Sequence, residues 1–468
     1  MRFATIGLII LAALAGGSTA AQPSAALNLK PCRAPGGNEV IQCGRLEVPE
    51  NWRRPGGRRI GLNIVYLPKI GPGPEQAPVI WLDGGPGIPG TPGAALYEGP
   101  LKFHRERRAV VLFDQRGTGQ SNPLHCPKTE NRSALGDMWI SANVTACRRD
   151  LEARADLGQY TTDAATRDVD AIRSALGWPK IDLMGLSYGT MLAQAYLKLY
   201  PDRVRAAALM GSVPLGEKLP LHHAANADAS LRDLFADCRA EAACIRAFPD
   251  LAADWSRVIG RLRDHPVTIA GEAEPIRAGP FGEAIRGKLN VIFTRQVLPG
   301  MIHSAAGGDF APFLASVRGG VRELEADGLY LSVTCPEDTR RITPSEIERE
   351  AAHTSFGRYR IDQQTAACRW WAPAVANPAI LTPVRSNVPV LLMSGGRDAT
   401  TPTAWARAIA ARMPRSRVVV IAAMTHLPDG LANMECLDRI MDGFFAKASV
   451  DGLDTSCLAT MTPPPFKT

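Results

Sequence analysis

Short aliphatic runs that alternate with helix-patterned stretches narrow the folds open to this chain more than any other feature. Strands separated by helices close into a mostly parallel sheet with helices on both faces. The expected strands are residues 79–82, 109–113, 181–184, 204–210, 388–393 and 417–421. Between them, residues 163–176 place Val169, Ile172 and Leu176 on one helical face, and residues 190–200 are rich in Ala and Leu. In an open parallel sheet the ligand crevice lies at the carboxyl ends of the strands, so the loops that follow them are where chemistry is sought.

The alternation stops between Val213 and Asn387 and gives way to helical spacing, as in Leu231, Leu234, Phe235, Cys238 and in Leu251, Trp255, Val258, Leu262. The expected division is a processed leader over residues 1–21, a first part of the core over 22–215, an inserted helical lid over 216–385 and a second part of the core over 386–468. A lid over the crevice would limit what can enter. With 468 residues, 46% of them hydrophobic, the chain can bury one large core and a second lobe.

Arg2, an apolar run over residues 3–15 and the small residues Ser18-Thr19-Ala20 read as a secretory signal, and the run is too short to span a bilayer. Ten cysteines with no Cys-x-x-Cys agree with export and point to structural disulfides rather than to zinc or redox chemistry. Pairing neighbours in sequence gives Cys32 with Cys43, Cys126 with Cys147, Cys238 with Cys244, Cys335 with Cys368 and Cys436 with Cys457, although spacing alone leaves connectivity open. The net charge of +7 is spread along the chain rather than concentrated, which argues against a nucleic-acid partner. No stable membrane insertion is expected, and the secreted or periplasmic space is the expected location.

Gly185-Leu186-Ser187-Tyr188-Gly189 directly follows an expected strand and directly precedes an expected helix. That is the context in which G-x-S-x-G makes a sharp turn that presents its serine at a helix N-terminus, as in the nucleophile elbow of the α/β-hydrolase fold, which the segment resembles. A serine hydroxyl needs a base to take its proton, and histidine suits that task near neutral pH. The order in this fold is serine, acid, histidine, and of eight histidines only His426 follows Asp398, which itself follows the strand 388–393. His104, His125, His222, His223, His265, His303 and His353 are read as surface or lid residues. Asp398 would orient the imidazole; Asp429 and Asp438 are rivals that come after His426. Backbone donors for an oxyanion are expected from Tyr188 and from Gly85 in Asp83-Gly84-Gly85-Pro86-Gly87.

Three segments in order, Gly84-Gly85-Pro86-Gly87, Asp114-Gln115-Arg116-Gly117-Thr118-Gly119-Gln120-Ser121 and Gly185-Leu186-Ser187-Tyr188-Gly189-Thr190, resemble the serine aminopeptidases of the proline iminopeptidase and tripeptidyl aminopeptidase family. Asp398, His426, Cys436 and Cys457 look like the C-terminal region of the tripeptidyl branch. Asp83 and Tyr188 stand where proline iminopeptidases usually carry His and Trp, which also points to that branch. The Asp-Gln-Arg-Gly segment is expected to brace the active-site loops.

The resemblance implies an exported serine peptidase that acts on peptides with a free N-terminus through an acyl-enzyme, with no metal and no organic cofactor. An aminopeptidase must recognise an α-ammonium, and Glu337 and Asp338, in a segment that resembles an acidic lid segment of relatives, are the expected substrate-binding acids; a solvated Glu-Asp turn is the alternative. A carboxylesterase using the same machinery, and a non-catalytic binding protein on a hydrolase scaffold, are the competing functions.

Overall fold

A computed structural model describes residues 27–34, 36–318, 325–371 and 374–468. The signal-like segment lies outside the described residues. Nine strands form one sheet in the order β1-β2-β3-β5-β4-β6-β7-β8-β9. They are β1 (Lys30–Cys32), β2 (Ile41–Pro49), β3 (Arg59–Leu67), β4 (Val79–Leu82), β5 (Val110–Phe113), β6 (Ile181–Leu186), β7 (Val204–Met210), β8 (Val390–Gly395) and β9 (Ser416–Ile421). All neighbours from β5 to β9 run parallel, so the loops after β4, β5, β6, β7, β8 and β9 emerge at one edge. β1, β2 and β3 join antiparallel on the β5 side.

The six expected strands are present with small shifts at their ends, and the three antiparallel ones were not anticipated. Gly44, Arg45 and Glu47 interrupt the apolar pattern of β2, and Gly61 and Asn63 interrupt that of β3, so neither reads as an aliphatic run. Helices Thr162–Ala175, Tyr188–Leu199 and Thr403–Ala410 bury Val169, Ile172, Leu192, Ala406 and Ile409 on one face of the sheet. Helix Glu435–Lys447 covers the other with Leu437, Ile440, Met441 and Phe444.

Between β7 and β8 the chain is helical. Helices His223–Ala240, Leu251–Asp264 and Ala278–Leu289 build a second core around Leu234, Trp255, Val258, Phe281 and Ile285. Helices Asp327–Glu337 and Tyr359–Trp370 instead share the main core through Leu331, Val333, Cys335 and Cys368. Five disulfides join the cysteines as neighbours in sequence. Bonds of this kind belong to an oxidising compartment. No helix among the described residues is long and apolar enough to cross a membrane.

Arg116, in the loop after β5, is buried and forks onto Asp168 with two 2.6 Å hydrogen bonds; it also donates to the carbonyls of Glu50 and Gln159. The Asp-Gln-Arg-Gly segment is thus a brace between β2, β5 and helix Thr162–Ala175. His104, expected at the surface or in the lid, is buried beside Tyr97 in the core, and burial pushes its pKa down to about 3.

Glu337 and Asp338 differ from expectation. They end a helix rather than form a solvated turn, and both are buried. The carboxylate of Glu337 accepts the backbone N–H of Thr162 at 2.8 Å and its hydroxyl at 2.5 Å, so its acceptor capacity is committed inside the protein rather than turned to a substrate. Burial raises the pKa of Glu337 to about 7 against the hydrogen bonds from Thr162, and raises Asp338 well above the ordinary carboxylate range.

Two stability tests follow from these buried acids. Asp168→Ala leaves the Arg116 guanidinium buried without its carboxylate and should cost about 3–5 kcal/mol in a denaturant titration, whereas a loss near zero would mean that water or relaxation replaces the pair. Because the folded state holds the Glu337 proton more tightly than the unfolded chain, wild-type stability should fall between pH 4.5 and about 7 and level off above. Relative to wild type, Glu337→Gln should therefore gain on the order of 3 kcal/mol across that window; parallel stability curves for the two proteins would contradict the assignment.

Candidate active site

Ser187 joins β6 to helix Tyr188–Leu199 with φ 54° and ψ −120°, a conformation that costs a non-glycine residue energy and lifts the side chain out of the strand line. Its neighbours explain why the turn can be made. A Cβ on Gly189 would lie 2.0 Å from the Leu82 carbonyl oxygen, and one on Gly185 would lie 2.7 Å from the Gly189 oxygen. The Ser187 N–H donates to the Met210 carbonyl at 3.0 Å, and its own carbonyl accepts the Thr190 hydroxyl at 2.6 Å. The strained residue is thereby pinned from β7 and from its own helix.

Asp398 and His426 come from the loops after β8 and β9. Asp398 Oδ2 accepts His426 Nδ1 at 2.9 Å, with the carboxylate buried and the imidazole mostly so. Oδ1 accepts the N–H groups of Thr400 and Thr401 at 2.7 and 2.8 Å, and the Thr401 hydroxyl donates to Oδ2 at 2.5 Å. Burial would raise the Asp398 pKa, but the His426 charge and the hydrogen bonds from His426 and Thr401 outweigh it and hold the carboxyl below its usual range. The pairing fixes the imidazole with Nδ1 toward the acid and Nε2 away from it. A Cβ on Gly211 would stand 2.9 Å from His426 Cε1, and Met210, which precedes it, is tied to Ser187. Ser187 and His426 thus flank one peptide. Among the described residues the Ser187 hydroxyl has no hydrogen bond to His426, and such contacts often tighten only when substrate is bound.

The helical segment clamps both loops. Ser230 donates to the Arg397 carbonyl at 2.9 Å, Asn226 to the Thr400 carbonyl at 3.0 Å, and Arg397 forks onto Asp237 at 2.8 Å. Asn290 accepts the Thr400 hydroxyl on its side chain and the Thr425 hydroxyl on its carbonyl, each at 2.9 Å, so one residue holds the loops of Asp398 and His426 together. Sequence reading missed Thr401 and Asn290. The spacing from Asp398 to Thr400 and Thr401 is that of an Asx-type turn and could have flagged the first; no local pattern marks Asn290.

The loop after β4 brings Gly84 against the serine: a Cβ there would be 3.2 Å from Ser187 Cβ. Asp83 takes the Gly84 N–H at 2.7 Å and the Trp81 indole at 3.0 Å, and Gln115 holds its carbonyl at 3.1 Å. The Gly84 amide is therefore occupied and Gly85, with φ 105°, is the next in line. Tyr188 is the first residue of its helix, where N–H groups lack intrahelical acceptors. Beyond Gly87, whose carbonyl accepts the Ala326 N–H, a cavity of about 620 Å³ opens beside Ile88; Glu130, Glu283, Glu325 and Asp327 contribute to its wall, and Glu337 does not.

Residues 77–243 match the family described as alpha/beta hydrolase fold, and residues 352–457 match the family described as TAP-like protein. The chain is 26% identical to tripeptidyl aminopeptidase of Streptomyces coelicolor, over 91% of this chain and 84% of that one. It is 26% identical to serine protease Hip1 of Mycobacterium tuberculosis over 80% of each. Proline iminopeptidase of Aeromonas sobria is 31% identical over 30% of this chain and 29% of its own. Solved structures that align with it include proline iminopeptidase of Mycobacterium smegmatis, at 17% identity and TM-score 0.40 over 86% of this chain and 95% of that one. A thermophilic esterase of Thermogutta terrifontis aligns at 17% identity and TM-score 0.39, over 87% and 99%. The chain is a serine hydrolase of the α/β-hydrolase fold, similar over most of its length to the tripeptidyl aminopeptidases.

Proposed function

We propose that this chain is an exported serine peptidase that removes single residues or short peptides from the free N-terminus of its substrates. The observation that carries the reading is the 2.9 Å Asp398–His426 pair at the same sheet edge as the strained Ser187. In the proposed cycle Ser187 Oγ attacks the scissile carbonyl while His426 takes its proton, and the imidazolium that forms is stabilised by Asp398. The amides of Gly85 and Tyr188 receive the oxyanion, each worth about 3 kcal/mol of transition-state stabilisation. Collapse passes the proton from His426 to the leaving amine, and water, activated by the same imidazole, releases the acyl group and restores Ser187. No step requires a metal or an organic cofactor.

The relatives support a peptide substrate, and the cavity beside the oxyanion loop, walled by Glu130, Glu283, Glu325 and Asp327 together with Arg132, Arg286, Lys288 and Arg360, is the proposed place for its N-terminal part. In this reading the α-ammonium meets Glu325, which is exposed against Gly87 and whose charge also acts on Arg360, rather than Glu337 or Asp338.

Ser187→Ala should abolish labelling by a fluorophosphonate probe and lower kcat on aminoacyl or tripeptidyl arylamides by about 10⁴-fold or more. N-acetylation of those arylamides should remove activity. A wild type that takes no label would revive a non-catalytic scaffold, and indifference to acetylation together with preference for simple acyl esters would favour a carboxylesterase.

A further inference from the structure

Tyr188 has a second polar atom besides its amide, and the fold spends it. The phenol is buried, and its oxygen lies 2.9 Å from Thr162 Oγ1. Thr162 Oγ1 carries one proton and stands 2.5 Å from Glu337 Oε2, which accepts it when ionised. The remaining proton in the 2.9 Å contact must then come from the phenol. The chain of donors runs from Tyr188 to Thr162 to Glu337, whose other oxygen takes the Thr162 N–H at 2.8 Å. All three residues are buried, so water does not stand in for any link.

We infer that Glu337 is a positioning residue for the amide of Tyr188 and acts on it through Thr162. The inference rests on the proposed role of that amide as an oxyanion donor and deepens it. Tyr188 follows directly on the strained Ser187, and its N–H direction is set at two places: the backbone pinned at Ser187, and the ring fixed by its hydroxyl. A preorganised donor stabilises charge because it does not reorient when the charge appears. Glu337 is well placed to hold the far end. It sits at the N-terminus of helix Thr162–Ala175, where a carboxylate meets the positive end of the helix dipole, and the helix gives it an N–H as well as a hydroxyl. The charged groups that face it are Asp163 and Asp338, which oppose its ionisation, and Arg341, which favours it. Burial and Asp163 raise the Glu337 pKa to about 7, so the donor chain runs toward Glu337 above that pH, where the variants below are compared.

The test compares wild type with Tyr188→Phe, Thr162→Val, Thr162→Ser, Glu337→Gln and the double variant Tyr188→Phe with Thr162→Val. It uses one free-amine arylamide, and kcat is referred to active sites counted by the acyl-enzyme burst. Tyr188→Phe and Thr162→Val each remove one hydroxyl at nearly constant shape, so they test the idea even where Glu337→Gln does not fold. The single variants that break the chain should lower kcat about tenfold or more with KM within about twofold of wild type. A peptide boronate, which forms a tetrahedral adduct, should lose affinity by the same factor. Thr162→Ser should restore wild-type kcat, and the double variant should be no worse than the poorer single one, because both cut the same chain. Unchanged kcat per active site, loss of KM and kcat in equal measure, or multiplying effects would overturn the inference. If Ser187→Ala turns over as fast as wild type, the proposed catalytic cycle fails, and this inference fails with it.

Discussion

Helix Tyr188–Leu199 can lie across the ends of β4 and β6 only because Gly189 has no side chain to strike the Leu82 carbonyl. That close approach is the constraint from which the site follows. It brings the helix N-terminus to the sheet edge, forces Ser187 into its positive-φ turn, and sets the loop after β4 against the serine, where a Cβ on Gly84 would stand only 3.2 Å from Ser187 Cβ. The strain at Ser187 is opposed by the hydrogen bond to Met210 and by the packing of Leu192, Tyr196 and Leu197 into the main core.

How legible this was in the sequence depends on the range of the interaction. The parallel strands could be read because β4, β5 and β8 are buried on both faces and written as aliphatic runs and β6, β7 and β9 are broken only by single polar residues or at their ends, while β2 and β3 carry glycines and polar residues that blur their period. Ser187, Asp398 and His426 could be placed because each follows a strand within a few residues, which ties chain position to the crevice edge. Glu337 and Asp338 were misjudged as substrate-facing: their acidity was visible, but the partners that turn Glu337 inward, Thr162 N–H and Oγ1, lie 175 positions away in the chain. Asn290, which joins the loops of Asp398 and His426, is hidden for the same reason.

The helical segment between β7 and β8 is tied to the loops that carry the site. Through Asn226, Ser230, Asp237 and Asn290 it grips the loops that carry the acid and the imidazole, and through Glu337 it reaches the residue that follows the serine. Core and insertion are therefore coupled at both halves of the proposed relay. Disulfide Cys335–Cys368 lies next to Glu337 in sequence and ties helix Asp327–Glu337 to helix Tyr359–Trp370.

The central claim is that an alcohol, an imidazole and two backbone amides converge on one reacting carbon. A crystal structure of the wild-type protein phosphonylated by an arylamide-mimicking peptide phosphonate tests it most directly. The account predicts phosphorus bonded to Ser187 Oγ, its anionic oxygen within hydrogen-bond distance of the Gly85 and Tyr188 amides, and His426 Nε2 turned toward the adduct. Phosphorus on another residue, or an adduct on Ser187 whose oxygen points away from both amides with His426 out of reach, would contradict it.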